Sequence, residues 1–316
     1  MSEREGPMSV LLLFIDGVGL GDDAAYNPWA ALPTPSLNDL LSGKSLTKAA
    51  VGRHGDGVLL LETDARLGVD GLPQSATGQA TIFTGRNAPK FLERHMSGLP
   101  FQRLRQFVRE DNLYLQLERE GFRPAFANSY TEEYFQRKAT RRGWKSVSTV
   151  AIESATAPVR MTKELLEGKA VFHDLTRRHL QTFRPDIPEI TPEQAARHIL
   201  HLLAEYDVVV QEFFMSDVAG HKQTPGLMEW VVETYDRFLG CVVKEKRASD
   251  TVILVSDHGN SEDMRVKTHT MNPVPTLVVG PVPPVSEVDL SAWNLTDIVP
   301  FIHRILRNGT SGEIDI

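Results

Sequence analysis

Short apolar runs, spaced along the chain, most constrain what this sequence can fold into. Runs rich in β-branched and aliphatic residues occupy residues 9–15, 123–127, 207–214, 251–255 and 275–279. Unbroken runs of this kind are typical of strands in a parallel sheet that is covered on both faces. Apolar residues at three- and four-residue spacing between the runs predict helices over residues 36–41, 112–120, 191–205 and 226–243. The sequence therefore predicts an α/β fold with a doubly wound, mainly parallel sheet.

One segment interrupts this alternation of strands and helices. Residues 136–190 contain two basic clusters, a Gly-Trp pair and several prolines. We predict that this segment is an inserted lid or cap, and that residues 1–135 and 191–316 form the core. A chain of 316 residues is long enough for one large core with such an attachment.

Charge and cysteine content narrow the class of protein. The only cysteine is Cys241, so neither an internal disulfide nor a cysteine-based zinc cluster can form within the chain. A net charge of −7 offers no basic surface for nucleic acid. The apolar run near the start ends at Asp16 and is too short to span a membrane. We expect a cytoplasmic protein that binds neither nucleic acid nor membrane, and the sequence does not indicate its oligomeric state.

Aspartate and histidine follow three of the predicted strands. Ligands of open parallel sheets bind at the edge where the carboxyl ends of the strands meet, so these side chains should converge there. The residues concerned are Asp16, Asp217, His221, Asp257 and His258, with His269 following shortly after the last strand.

These residue types favour a divalent cation such as zinc or manganese. The adjacent Asp257 and His258 should point to opposite sides of the chain, which a single ion would have difficulty using. Two ions a few ångströms apart could take one each. On this interpretation Asp16 joins one ion, and the other ion is held by Asp217, His221 and His269.

A serine begins a further predicted helix. Ser75 stands at the position expected for an N-cap, and the helix should end near Gly85. The amide groups at such a helix start favour an anion. A serine hydroxyl there, deprotonated by an adjoining metal, can attack phosphorus without a histidine base.

Together these motifs resemble those of the alkaline phosphatase superfamily, and most of all those of cofactor-independent phosphoglycerate mutase and phosphopentomutase. The resemblance covers about residues 1–90, 105–135 and 190–290. It implies that Ser75 is the nucleophile that becomes phosphorylated, and that it also contacts one of the two metals. That metal would be held by Asp16, Ser75, Asp257 and His258, and the other by Asp217, His221 and His269.

Two departures from the mutases stand out. Only residues 91–104 occupy the place where the mutases carry a large cap with substrate-binding arginines, so that cap is expected to be missing. Glu133 stands where the resemblance places a lysine that holds the transferring phosphate. No Cys-x-Pro-x-Arg sequence is present, which argues against a formylglycine sulfatase.

A basic set in the predicted lid is the candidate substrate-binding group. It comprises Arg137, Arg141, Arg142 and Lys145. These side chains could clamp an anionic substrate, although a solvated surface explains such a run equally well.

Three hypotheses follow for the function. The first is a hydrolase that uses two divalent metals and the Ser75 nucleophile on a small phosphorylated metabolite. The second is a phosphomutase in which the lid excludes water. The third is a metal-binding protein without turnover. The sequence leaves the substrate, monoester or diester preference, and manganese or zinc open.

Overall fold

The computed structural model describes residues 8–55, 57–140, 145–281 and 292–311, and for residues 137–140 and 309–311 it describes the backbone alone. Within these ranges a seven-stranded sheet forms the centre of the molecule, in the order β2-β3-β7-β6-β1-β5-β4. The strands are β1 (Val10–Ile15), β2 (Gly52–Arg53), β3 (Val58–Thr63), β4 (Pro124–Phe126), β5 (Val208–Phe213), β6 (Thr251–Val255) and β7 (Val274–Val279).

The pairing of the strands confirms the predicted mainly parallel α/β sheet. Strand β1 pairs in parallel with both β5 and β6, and β4 pairs in parallel with β5. Strand β7 is antiparallel to β6 and β3, so β3 runs in the same direction as the central strands. The short β2 is antiparallel to β3.

The β3 strand is the main difference from the sequence prediction, which placed no strand there. Its residues pair with β7 from Val58 opposite Val279 to Thr63 opposite Val274. No helix separates β3 from β2, so β3 falls outside the strand–helix alternation by which β1, β4, β5 and β6 were recognised.

Fourteen helices surround the sheet in the described residues, and many are short. They are α1 (Pro28–Ala31), α2 (Pro35–Leu40), α3 (Ser75–Thr84), α4 (Ala88–Leu92), α5 (Gln102–Glu110), α6 (Leu113–Arg119), α7 (Glu132–Thr140), α8 (Val147–Ser154), α9 (Thr162–Leu166), α10 (Arg178–Gln181), α11 (Pro192–Glu205), α12 (Met215–Lys222), α13 (Leu227–Glu245) and α14 (Ile298–Ser311). In the part of the chain that the structure covers, none of them combines the length and the apolar character needed to cross a membrane.

The sheet is buried on both faces, which explains why its central strands lack polar alternation. Along β1, Val10, Leu12 and Phe14 belong to one hydrophobic cluster, which also contains core residues of α3, α5, α6, α8 and α14. Leu11 and Leu13 belong to the cluster on the opposite face, with α1, α2, α11 and α13. All six residues of β1 are buried.

The segment predicted to be a lid packs in two different ways. Val147, Val150 and Ile152 of α8 lie in the first hydrophobic cluster together with the sheet. Leu165 and Phe172 belong to a separate small cluster that contains no strand residue. The boundaries at 136 and 190 stay a prediction, and α8 is part of the core on one face of the sheet.

Candidate active site

Six of the residues predicted from the sequence come together in two groups at the carboxyl ends of the strands. Within each group the candidate ligand atoms all lie within 4.8 Å of one another. One group is Asp16, Asp257 and His258, and the other is Asp217, His221 and His269. These are the two groups that the family resemblance implies. The expectation from side-chain alternation, that Asp257 and His258 would serve different ions, is wrong, because both side chains reach the same group. The role of the six residues as metal ligands stays a prediction.

The first group is buried between β1 and β6. Asp16 directly follows β1, and Asp257 and His258 follow β6. Nε2 of His258 lies 3.3 Å from Oδ1 of Asp16 and 3.7 Å from Oδ2 of Asp257. The backbone amide of Gly17 donates to Oδ1 of Asp257 over 3.3 Å, which ties the two strand ends together.

The second group is built on helix α12. Asp217 and His221 stand one helical turn apart, so they share a face, and Nε2 of His221 lies 3.4 Å from Oδ2 of Asp217. His269 arrives from the loop between β6 and β7, with its Nε2 3.8 Å from Oδ1 of Asp217. The side chain of His221 is 42% exposed, so this group is open to solvent on one side.

All three histidines are oriented by a backbone carbonyl at Nδ1. The carbonyl acceptors are Lys267 for His221 at 2.6 Å, Gly259 for His258 at 3.2 Å, and Pro73 for His269 at 2.9 Å. A carbonyl oxygen only accepts, so Nδ1 of each ring carries a proton and Nε2 is the nitrogen left to bind a metal. A neutral imidazole held in this way is the arrangement in which histidine binds a metal, and each Nε2 faces its group.

The two groups adjoin each other. The rings of His258 and His269 stack with their centroids 3.7 Å apart and their planes 14° apart. Nε2 of His221 lies 3.2 Å from Nε2 of His269. The two candidate groups are therefore in direct contact through their histidine rings.

Ser75 stands at the first position of α3, beside the first group. Its Oγ lies 2.9 Å from Nε2 of His258. The sequence placed Ser75 at the N-cap, but the N-cap is Gln74, one residue earlier. The Ser75 hydroxyl is directed at His258, where a nucleophile would stand.

Burial and crowded charge set the pKa values of the site. Burial, followed by the charge of Asp16, raises the pKa of Asp217 to about 6 and that of Asp257 well above its usual range. Burial works against protonation of His258, but Asp257 and Asp16 outweigh it and raise its pKa to about 10. Carboxylates crowded in a buried site need positive charge, and divalent cations would supply it, so the donor set fits the metals that the sequence implies.

The buried Glu262 joins the three loops that carry the ligands. One of its oxygens accepts from the backbone amides of Gly19 and Asn260 at 2.9 and 2.7 Å. The other accepts from the Thr270 hydroxyl and from Nδ2 of Asn272. Sequence reasoning missed Glu262, although its place two residues after Asn260 was the available signal.

Helix α3 packs directly against a predicted ligand. A Cβ at Gly78 would lie 2.8 Å from both Cβ and the carbonyl oxygen of Asp257. Any side chain at this position would therefore push the helix, and Ser75 with it, away from the first group.

The predicted substrate-binding residues are placed only in part. Lys145 forms an ion pair with Glu153 at 2.6 Å. Arg141 and Arg142 lie outside the described residues, as does the side chain of Arg137. Binding of an anionic substrate by these four residues stays a prediction.

The two expected departures from the mutases can be located. Oε1 of Glu133, at the start of α7, lies 3.8 Å from a guanidinium nitrogen of Arg184. Between α3 and α5 the described chain holds only the short α4 and a loop, so no large cap is inserted there.

Comparison with known proteins agrees with this description. Residues 179–307 match the model of the Metalloenzyme superfamily. The chain is 33% identical over 135 residues to the 2,3-bisphosphoglycerate-independent phosphoglycerate mutase of Desulforudis audaxviator, covering 39% of this chain and 26% of that protein. It is 24% identical over 297 residues to the mutase of the same name from Thermococcus gammatolerans, covering 84% of this chain and 70% of that protein. The aligned part thus spans about a quarter of the first relative's length.

Solved structures show the same fold. The PH0037 protein from Pyrococcus horikoshii superimposes with a TM-score of 0.58 at 16% identity, over 98% of this chain and 99% of that chain. The alkaline phosphatase from the Antarctic bacterium TAB5 gives a TM-score of 0.53 at 13% identity, over 96% and 99%. The chain therefore has an alkaline phosphatase-like fold.

Proposed function

Because residues 179–307 match the model of the Metalloenzyme superfamily and the chain has an alkaline phosphatase-like fold, we propose that it hydrolyses phosphate esters with Ser75 as the nucleophile. The observation that carries the proposal is the position of the Ser75 hydroxyl. It stands at the start of a ten-residue helix and 2.9 Å from Nε2 of His258, at the edge of the first ligand group. A hydroxyl so placed can reach a phosphoryl group held between the two groups.

Each part of the site has a role in this reaction. Asp16, Asp257 and His258 would hold one divalent cation, and Asp217, His221 and His269 the other. Two bound cations supply positive charge to the phosphoryl oxygens and lower the pKa of a nearby hydroxyl. The amino end of α3 adds the positive end of its helix dipole to the same place.

The reaction consists of two displacements at phosphorus. Ser75 Oγ forms a bond to phosphorus, the ester bond breaks, and the leaving oxygen takes up a proton. A water oxygen then forms a bond to phosphorus, the bond to Ser75 breaks, and the serine regains its proton. Inorganic phosphate and an alcohol are the products.

Hydrolysis is favoured over transfer to a second position of the same substrate by two features. The connection between α3 and α5 is short, so the described chain has no large cap there to hold the alcohol released in the first displacement. Glu133 also brings negative charge where the mutase resemblance expects a lysine. A phosphomutase is the second candidate, because the relatives at 33% and 24% identity are both named as mutases.

Product analysis with wild type and Ser75→Ala, each loaded separately with manganese and with zinc, tests the proposal. We expect wild type to release phosphate whose new oxygen comes from isotopically labelled water, and Ser75→Ala to lose about a thousandfold or more in rate. The variant should keep its metal content, because three ligands per group remain. Peptide mass spectrometry should find phosphate on Ser75 of wild type alone.

Other outcomes would change the assignment. Serine-dependent formation of a phosphorylated isomer without phosphate release would make the protein a mutase. Full activity of Ser75→Ala would contradict the covalent route. Metal binding without turnover of any ester would favour the third hypothesis, a metal-binding protein.

A further inference from the structure

A large cavity opens near the first ligand group, and its walls contain none of the residues that take part in the two displacements at phosphorus. Its volume is about 760 Å³. Aromatic rings make up much of its wall, and they are contributed by Phe126, Tyr130, Tyr134, Phe172, Phe183 and Phe214. A cavity of this size and character can enclose a small organic molecule.

The register of the sheet places this cavity next to a predicted metal ligand. Glu212 and Phe214 line it, and Ile15 of β1 pairs with Phe213 of β5. Asp16 follows Ile15, so it stands beside Phe214 and on the same face of the sheet as Glu212. Burial raises the pKa of Glu212, and the charge of Asp16 adds to this rise, in agreement with this proximity.

Another part of the cavity wall is connected by a hydrogen bond to α3, the helix that begins with Ser75. Leu99 lines the cavity and lies three residues after Met96. The backbone amide of Met96 donates to the Thr77 hydroxyl over 3.2 Å, and Thr77 lies two residues after Ser75. The cavity therefore borders both the end of β5 and the segment that contacts the Ser75 helix, and the organic part of a phosphate ester bound at the ligand groups could extend into it.

The tyrosines present their rings to the cavity. The hydroxyls of Tyr130 and Tyr134 are both within 3.0 Å of the Thr149 hydroxyl, at 2.9 and 3.0 Å. The centroids of their two rings are 4.9 Å apart, and the centroid of the Phe126 ring is 6.1 Å from that of Tyr130. With both hydroxyls engaged at Thr149, the ring surfaces remain for contact with a ligand.

The buried carboxyl group of Glu212 is one of the polar groups that a ligand in the cavity could contact. Glu212 is 1% exposed, and its Oε1 has no hydrogen-bond partner in the described part of the molecule. No lysine or arginine is among the described residues that line the cavity, whereas Glu133 joins Glu212 there. A negatively charged group buried in this cavity would find no lysine or arginine among the described lining residues to pair with. Burial raises the pKa of Glu212 to about 8, so a ligand cation would favour its carboxylate form and a ligand anion would oppose it.

We propose that this cavity binds the alcohol part of the substrate and selects a flat aromatic group that carries no negative charge and offers a hydrogen-bond donor to Glu212. The substrate class is then a phosphate ester of an aromatic or heteroaromatic alcohol. The inference rests on the proposed function, because it assumes that the phosphate lies at the two ligand groups.

Binding of two phosphonates that cannot be hydrolysed tests the cavity without requiring turnover. Titration calorimetry on the metal-loaded protein would compare benzylphosphonate with ethylphosphonate. Burial of the ring should make the benzyl compound bind about tenfold or more tighter. Equal affinity would overturn the proposal.

Two variants assign the effect to this cavity. Phe183 lies at the rim and is 43% exposed, so Phe183→Ala should fold and should lose most of the preference for the benzyl compound. Phe101→Ala removes the same ring from a 62% exposed position outside the cavity and should keep that preference. Loss of the preference in both variants, or in neither, would contradict the assignment.

The role of Glu212 is tested with charged versions of the same ligand. Wild type should bind 4-(aminomethyl)benzylphosphonate more tightly than 4-carboxybenzylphosphonate, and Glu212→Gln should reduce this difference about tenfold. Tighter binding of the carboxy compound by wild type would overturn the exclusion of anions and would favour the basic set of residues 137–145 as part of the wall.

Turnover separates failure of this inference from failure of the proposed function. The corresponding phosphate esters, benzyl and ethyl phosphate, would be offered to the same preparations. Selective binding of the benzyl phosphonate without release of phosphate from either ester supports the cavity and refutes the hydrolase. Equal binding of the two phosphonates with release of phosphate from both esters refutes the cavity and leaves the hydrolase.

Discussion

At the scale of single residues, the three histidines of the ligand groups show how the backbone orients side chains. Each of His221, His258 and His269 has Nδ1 near a carbonyl oxygen and Nε2 toward its group. Residue type and position after a strand were enough to predict which side chains converge. The carbonyl partners could not be predicted, because they depend on loop conformations that no local pattern encodes.

Glu262 is expected to act as a positioning residue for the ligands. In Glu262→Gln an amide group replaces one oxygen and faces donors from Gly19, Asn260 or Asn272. Because two donors cannot pair, the loops should shift and metal affinity should fall by about tenfold to a hundredfold. Metal titration followed by elemental analysis measures this. Glu62→Gln, the same change at an exposed position of β3, is the control, and equal affinities in the two variants would refute the role.

Glu212 should make stability depend on pH. Burial raises its pKa to about 8, from 4.5 in the unfolded chain. Below pH 4.5 both states are protonated. As the pH rises from 4.5 to 8 the unfolded state loses the proton first, so the protein loses stability, by at most about 1.4 kcal/mol per pH unit.

Glu212→Gln should remove this loss, because the amide has no proton to release in that range. Urea unfolding at pH 5 and pH 8 would measure the difference in the free energy of unfolding for both proteins. The variant should have the smaller difference, and Glu62→Gln should match wild type. A variant with the wild-type pH dependence would show that Glu212 does not titrate in this way.

At the scale of elements, the site depends on how closely α3 approaches β6. A Cβ added at Gly78 would lie 2.8 Å from the carbonyl oxygen and from Cβ of Asp257. A helix interior ordinarily favours alanine over glycine by about 1 kcal/mol. The close contact explains why glycine is nevertheless suited to this position.

Gly78→Ala should displace the first ligand group from Ser75. We expect a loss of metal affinity and of any Ser75-dependent turnover. Gly240→Ala is the matched control, since Gly240 also lies inside a helix, α13. Its added Cβ would lie 2.2 Å from the Ser36 hydroxyl, and this contact involves none of the predicted ligands. Gly240→Ala should lower the melting temperature and keep the metal. Normal metal binding by Gly78→Ala would show that α3 can move without consequence.

The strands that sequence reasoning placed best are β1, β5 and β6. They lie within a residue of their predicted bounds, because parallel strands buried on both faces have a continuous apolar signature. β3 was missed because its apolar run is short and ends before the exposed Glu62, and because its partner β7 comes from the far end of the chain. Such pairing is decided by tertiary contact, and the local sequence does not record it.

At the scale of the whole molecule, the cations should stabilise the fold. The ligands come from loops after β1 and β6, from α12 and from the loop before β7, so a bound ion links distant parts of the chain. An ion present at a hundred times its dissociation constant adds about 2.7 kcal/mol of stability. Chelation should lower the melting temperature by about 5 °C. Calorimetry with and without chelator measures this, and Asp217→Asn combined with Asp257→Asn should be insensitive to the chelator.

The hydrogen bond from Gly17 to Asp257 joins residues 240 positions apart. A ribosome must therefore synthesise most of the chain before the first ligand group can close, and closing so long a loop is slow. Cation capture is then a late event in folding. Chains that end before His269 would lack a complete second group, so uptake of ions at both groups would report that the chain is made and folded at least to that residue.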